Sequence, residues 1–131
     1  MISNNRLANV SNRFQTKTHR VLCVCSAGLL RSPTAANVLH QEYGFNTRAA
    51  GIAVEYALIP VDEALIEWAD EIVWVERDVF EQGKQAFDLL LADKTNTVLA
   101  IPDRYEWNHP ELRAIIKEQY DNAISVEKTT C

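Results

Sequence analysis

Cysteine is scarce in this 131-residue chain: there are three, Cys23, Cys25 and Cys131. An odd and sparse set is no disulfide framework, and without a Cys-x-x-Cys pair it offers no zinc clamp. The histidines, His19, His40 and His109, lie far apart and share no metal-ligand spacing. The sequence therefore calls for no metal and no cofactor. Long apolar runs are missing too: none approaches the roughly 18 residues that suggest a membrane span. The opening MISNNRLANVSNRFQTKTHR has no apolar stretch of the signal-peptide kind. Together with the cysteine usage, this points to the cytoplasm. Positive charge is not in excess either. A formal charge of −5 speaks against nucleic acid or an anionic membrane as partner.

What is present is a core. Hydrophobic residues make up 47% of the chain, enough for one domain of this length. Residues 1–19 are polar and Asn-rich and read as a flexible N-terminal extension; the domain is expected over 20–131. VLCVC (21–25) is a short continuous apolar run, the mark of a buried strand. Ser32 then fits a helix N-cap, with Pro33 at the first helical position and Gly44 as the stop. A second strand is expected at 45–51. Val61, Ala64, Leu65, Trp68 and Ala69 fall on one face of a second helix. EIVWVE (71–76) is a third strand, RDVFEQGKQAF a short helix weakened by Gly83, and NTVLAI (96–101) a fourth strand. A last helix opens near Asn108 or His109, where Asn108 and Glu111 have capping-box spacing. Its apolar face is Leu112, Ile115, Ile116 and Tyr120.

Strict alternation of strand and helix implies an α/β fold: three layers, with a four-stranded parallel sheet and helices on both faces. Ligands of such sheets bind beyond the carboxyl ends of the strands. Cys25, Glu76 and Asp103 all fall at or just after such ends, hence on one rim.

The segment CSAGLLRS (25–32) joins the first strand to the first helix. Amides at a helix N-terminus and the helix dipole make an anion site. Gly28 permits backbone geometry that a Cβ resists. Arg31 supplies a fork for two phosphate oxygens. A cysteine set in such a positive field is favoured as thiolate, and the Ser32 hydroxyl is placed to donate to it. The backbone of Ser26, Ala27, Gly28, Leu29 and Leu30, with Arg31 and Ser32, is thus the expected phosphate-binding loop after strand 1. A thiolate inside an oxyanion cradle is equipment for phosphoryl transfer through a cysteinyl-phosphate.

Plainer readings cover the rest. Cys23 is a core hydrophobe and Cys131 inert. The acidic residues Asp62, Glu63 and Glu67 form a solvated helix face, and Trp68 and Trp74 are core. The charges at Glu76, Arg77 and Asp78 follow a strand end and either border the rim or, by default, are ordinary surface charge. Tyr105 and Trp107 sit in a loop, where they either wall an aryl phosphate or simply pack. A lone C-x5-R pattern carries little information. C-x5-R-S-P after a buried strand and opening a helix carries much more.

Over roughly residues 20–120 the chain resembles the low-molecular-weight protein tyrosine phosphatases, and within them a small bacterial branch of predicted tyrosine phosphatases. The resemblance lies in VCSAGLLRSPTA, then AAGI, EWADEIVWVE and IPDRY in that order. It implies Cys25 as nucleophile, Arg31 as phosphate clamp and Ser32 as the hydroxyl that stabilises the thiolate. It also implies Asp103 as general acid, with Arg104 where the family has Pro. Glu106 and, more distantly, Glu111 compete for that role. Where the family usually has a bracing Asn, this chain has Gly28. Ala27 stands where many members have Gly, and Leu30 where many eukaryotic members have a second cysteine.

The expected activity is metal-free phosphomonoester hydrolysis by a cytoplasmic protein tyrosine phosphatase, on a phosphorylated protein or a small aryl phosphate. The catalytic set is Cys25, Arg31 and Asp103. Tyr105 joins the phosphate-loop residues on the substrate side. Alternatives are a non-catalytic phosphate-binding or regulatory module and a phosphocarrier subunit. Arsenate reduction ranks below them, because it passes oxidation between cysteines and residues 26–130 contain none.

Overall fold

A computed structural model describes residues 19–26, 31–53, 57, 59–102 and 104–130, with the side chains of 125–130 left aside. Eight elements follow in strict alternation: β1 (Arg20–Cys25), α1 (Arg31–Tyr43), β2 (Asn46–Gly51), α2 (Glu63–Trp68), β3 (Glu71–Trp74), α3 (Arg77–Leu91), β4 (Thr95–Val98) and α4 (Pro110–Thr130). All pairings are parallel, in the order β2-β1-β3-β4. The chain steps from β1 out to β2, then crosses back over β1 to β3. Right-handed crossovers in opposite directions put their helices on opposite faces. Helix α1 packs with α4 and α2 with α3, which gives the three layers. The reversal of winding falls between β1 and β3. In sheets of this kind the carboxyl ends at such a reversal are where ligands bind, and Cys25 ends β1 at that point.

Strand β1 is central, so both its faces are covered and Val21 through Val24 have no exposure. That is why its sequence is an unbroken apolar run. Strand β4 is at the edge and reads TNTV, with exposed Thr95. On α1, Ala35, Ala36, Val38 and Leu39 are buried against the sheet. Gly44 ends it at φ 72°, a conformation that favours glycine, while its N–H donates to the His40 carbonyl at 2.9 Å.

Several local expectations change. Helix α2 is six residues, capped by Asp62, whose Oδ1 accepts from Leu65 N–H at 2.8 Å; Val61 and Ala69 flank it. Asp62 is therefore a cap as well as an exposed residue, with Glu63 and Glu67 exposed on the helix behind it. Trp68 is half-buried at the margin of the core, packed against it with the Arg48 guanidinium over its ring, 4.4 Å from the centroid. The capping box at the last helix does not form. Asn108 sits at φ 61° with its side chain turned to α1, and the His109 ring accepts from Glu111 N–H at 3.1 Å instead. Helix α3 passes through Gly83 and kinks at Phe87, whose φ −137° and ψ 31° are not helical, so the short helix expected over 77–87 ends there and a further turn carries the chain to Leu91.

At the amino ends of the strands lies a buried carboxylate, Glu71. It accepts from Thr97 Oγ1 at 2.6 Å, from Tyr120 Oη at 2.9 Å and from His19 Nε2 at 2.8 Å. Three partners compensate a charge that would otherwise be costly there. Burial, and then this carboxylate, push the Cys23 thiol well above its ordinary range. Cys23 has no exposure and is a core residue. Among the described residues, no helix is long and apolar enough to cross a membrane.

Candidate active site

Cys25 closes β1 and is 3% exposed. Its backbone is held on the outer side by β2: Ile52 N–H donates to the Cys25 carbonyl and Ala53 N–H to that of Ser26, both at 2.9 Å. The chain beyond the last formal strand pair thus stays in register up to the mouth of the loop. Residues 27–30 lie outside the described residues, so Ala27, Gly28, Leu29 and Leu30 remain expectations from sequence.

The chain is described again at Arg31, already the first residue of α1. Ser32 therefore lies inside the helix and not at its cap. Its hydroxyl is fully buried, 3.1 Å from Cys25 Sγ and 3.3 Å from the Ala50 carbonyl. A carbonyl can only accept. The hydroxyl can donate to Ala50 while the thiol donates to it, or turn its proton to sulfur when the thiol is ionised.

Arg31 is 3% exposed. Its Nη1 donates to Glu76 Oε1 at 2.9 Å and to the Ile101 carbonyl at 3.0 Å. Glu76 follows β3 and Ile101 follows β4, and both segments stay paired past their formal ends. Val75 N–H donates to Val24 at 3.0 Å, Leu99 N–H to Trp74 at 2.8 Å and Ile101 N–H to Val75 at 2.9 Å. Three strand ends thus converge on one guanidinium and one thiol.

The segment after Ile101 carries Asp103, which lies outside the described residues. Its surroundings are tied to α1 at both ends: upstream through Ile101 to Arg31, downstream through Asn108. Asn108 N–H donates to Thr34 Oγ1 at 2.8 Å, and its side-chain oxygen accepts from Asn37 at 3.2 Å and Arg113 at 2.6 Å. Tyr105 is 8% exposed; its ring packs against His109 and its hydroxyl accepts from Arg104 at 3.1 Å. Trp107, at 55%, is the exposed aromatic of this segment.

The structure sets Ser32 Oγ 3.1 Å from Cys25 Sγ and turns the Arg31 guanidinium to Glu76 and Ile101. Sequence reasoning missed Glu76, taken as surface charge, and the Asn108–Thr34 clasp. A signal for Glu76 existed: it falls at a strand's carboxyl end, on the rim that carries Cys25. Nothing in the sequence marks Thr34, whose contact spans 74 residues.

No family model matches the sequence, and no curated protein matches it. Solved structures do. Wzb of Vibrio vulnificus, in complex with benzylphosphonate, is 20% identical, with 87% of this chain and 99% of that chain covered at a TM-score of 0.61. The tyrosine phosphatase Wzb from Escherichia coli K30, in complex with phosphate, is 15% identical, covering 80% and 95% at 0.64. The YwlE arginine phosphatase from Geobacillus stearothermophilus is 17% identical, covering 86% and 94% at 0.60. The four-stranded parallel sheet and its flanking helices are those of the low-molecular-weight protein tyrosine phosphatase fold.

Proposed function

We propose that the protein is a cysteine-dependent phosphomonoester hydrolase acting on phosphotyrosine or another aryl phosphate. One observation carries this reading: the Cys25 thiol, at the end of the central strand, lies 3.1 Å from a buried hydroxyl and next to the loop that leads to a buried arginine. Burying a guanidinium is costly unless it serves a bound anion or a fixed partner. Placing one at a helix N-terminus beside a cysteine suits a phosphate. The similar proteins support it, since two bear the name tyrosine or arginine phosphatase and one is in complex with phosphate.

In the first step Cys25 Sγ attacks phosphorus in line with the ester oxygen. The S–P bond forms, the P–O bond breaks, and Asp103 gives its proton to the departing phenolate. Arg31 and the loop amides hold the equatorial oxygens, where negative charge is spread in the transition state. In the second step Asp103, now a carboxylate, takes a proton from water as its oxygen attacks phosphorus. Inorganic phosphate leaves, and the sulfur departs as thiolate, stabilised by the Ser32 hydroxyl. Trp107 is the aromatic open to the flank of a substrate.

The test is turnover of p-nitrophenyl phosphate by the wild type and by Cys25→Ser, with phosphate binding followed in parallel. We expect the variant to lose turnover and keep binding, because a serine hydroxyl is a far poorer nucleophile while the cradle is intact. Substantial turnover by the variant removes Cys25 from the mechanism. Binding without turnover by the wild type favours a phosphate-binding module, and a stable phosphocysteine favours a phosphocarrier.

A further inference from the structure

Glu76 breaks a local rule. It occupies the N-cap position of α3, where Ser, Thr, Asp or Asn is favoured, and its side chain makes no capping bond. Its carboxylate is instead turned to Arg31, with Oε1 accepting from Nη1 at 2.9 Å. Its backbone is extended, φ −159° and ψ 164°, so the residue leaves the sheet in line with β3 before the helix turns away. That line leads to the rim beyond β1, where Cys25 lies. Arg31's side chain is 4% exposed and Glu76's 38%, so the carboxylate approaches from the solvent side.

An arginine has four rotatable bonds before its planar group, and an anion that binds a freely turning guanidinium must offset the lost freedom. Two acceptors on one nitrogen, Glu76 Oε1 and the Ile101 carbonyl at 3.0 Å, fix the plane of the fork in advance. The bonds from Nη1 to the ends of β3 and β4 hold the plane of the guanidinium against rotation. Resting on the reading of Arg31 as phosphate clamp, we propose that Glu76 is the positioning residue of that clamp. It orients Arg31 for a tetrahedral oxyanion and acts through Arg31, not on the substrate.

Glu76→Ala removes the acceptor, whereas Glu76→Gln keeps an oxygen in the same place without the charge. Orthovanadate affinity by calorimetry, kcat and KM for p-nitrophenyl phosphate, and melting temperature are measured for the wild type and both variants. Glu76→Ala should bind vanadate at least about tenfold more weakly, with KM raised and kcat lowered, because the anion must then offset the freedom of an unfixed guanidinium. Glu76→Gln should recover affinity to within about threefold, because orientation needs an acceptor more than a charge. A pair that only staples β3 to α1 would lower the melting temperature of Glu76→Ala and leave vanadate affinity of the folded protein unchanged, and that result overturns the proposal. If the wild type fails to hydrolyse the ester while Glu76→Ala still loses vanadate affinity, the hydrolase reading falls and the role of Glu76 stands. If Cys25→Ser is inactive and Glu76→Ala behaves as wild type, the role of Glu76 falls alone.

Discussion

Gly83 lies in the seventh position of α3, where helix propensity alone says that alanine would be better by about 1 kcal/mol. The packing says the opposite. A Cβ on Gly83 would stand 2.3 Å from Trp74 Cη2, 2.5 Å from Cζ3 and 3.2 Å from Cζ2. The first two distances are far inside contact, so the indole or the helix must move. The indole has little room: it has no exposure, Nε1–H donates to Asn96 Oδ1 at 3.0 Å, and Phe80 meets its face edge-on at 5.5 Å between centroids. Overpacking of this kind costs about 1–3 kcal/mol, and losing the Asn96 bond adds about 1–3 more. Even after the propensity gain, Gly83→Ala should lose roughly 1–5 kcal/mol. Urea unfolding followed by circular dichroism measures it. At about 3–5 °C per kcal/mol for this size, the melting temperature should fall visibly as well. Trp74→Phe makes room for the methyl, so the double variant should be more stable than the sum of the single losses predicts, by about 1 kcal/mol or more. A Gly83→Ala protein as stable as the wild type would refute the argument.

Asp103→Asn should slow phosphotyrosine hydrolysis by about 10²- to 10⁴-fold and steepen the dependence of rate on leaving-group pKa, because a phenolate of high pKa needs a proton to depart. Near-normal turnover by that variant, with a large loss in Glu106→Gln, names Glu106 as the acid instead. Ser32→Ala removes a hydrogen bond to an ionised sulfur, a bond of about 1.5–3 kcal/mol, so kcat should fall roughly 10- to 150-fold. Stopped-flow detection of a phosphoenzyme separates the two steps, and turnover within about twofold of wild type means that the hydroxyl contributes packing alone.

Local patterns were readable where one short segment carried the whole instruction. The apolar run of β1 and the stop at Gly44 each depend on residues within a few positions of one another, and each has one physical solution. The order of strand and helix followed from periodicity and breakers. Element ends were read less well: β3 and β4 each end before the apolar pattern does, because Val75, Leu99 and Ile101 keep their pairing outside the regular ladder. Gly83 reads as a helix weakness in the sequence, since the reason for a missing Cβ is an indole from another element.

What the chain by itself determined was the alternating α/β pattern and a serine that returns, seven residues on, to the cysteine at the end of the first strand. The tertiary structure decided the strand order β2-β1-β3-β4, and with it which ends meet. Only that order puts Glu76, 45 residues from Arg31, and Ile101, 70 residues away, on the same guanidinium. It also puts Asn108 on Thr34, 74 residues away. A carboxylate after a strand looks the same in sequence whether it faces water or an arginine. The difference lies in which strand is its neighbour, and that is settled by how the helices cover both faces of the sheet.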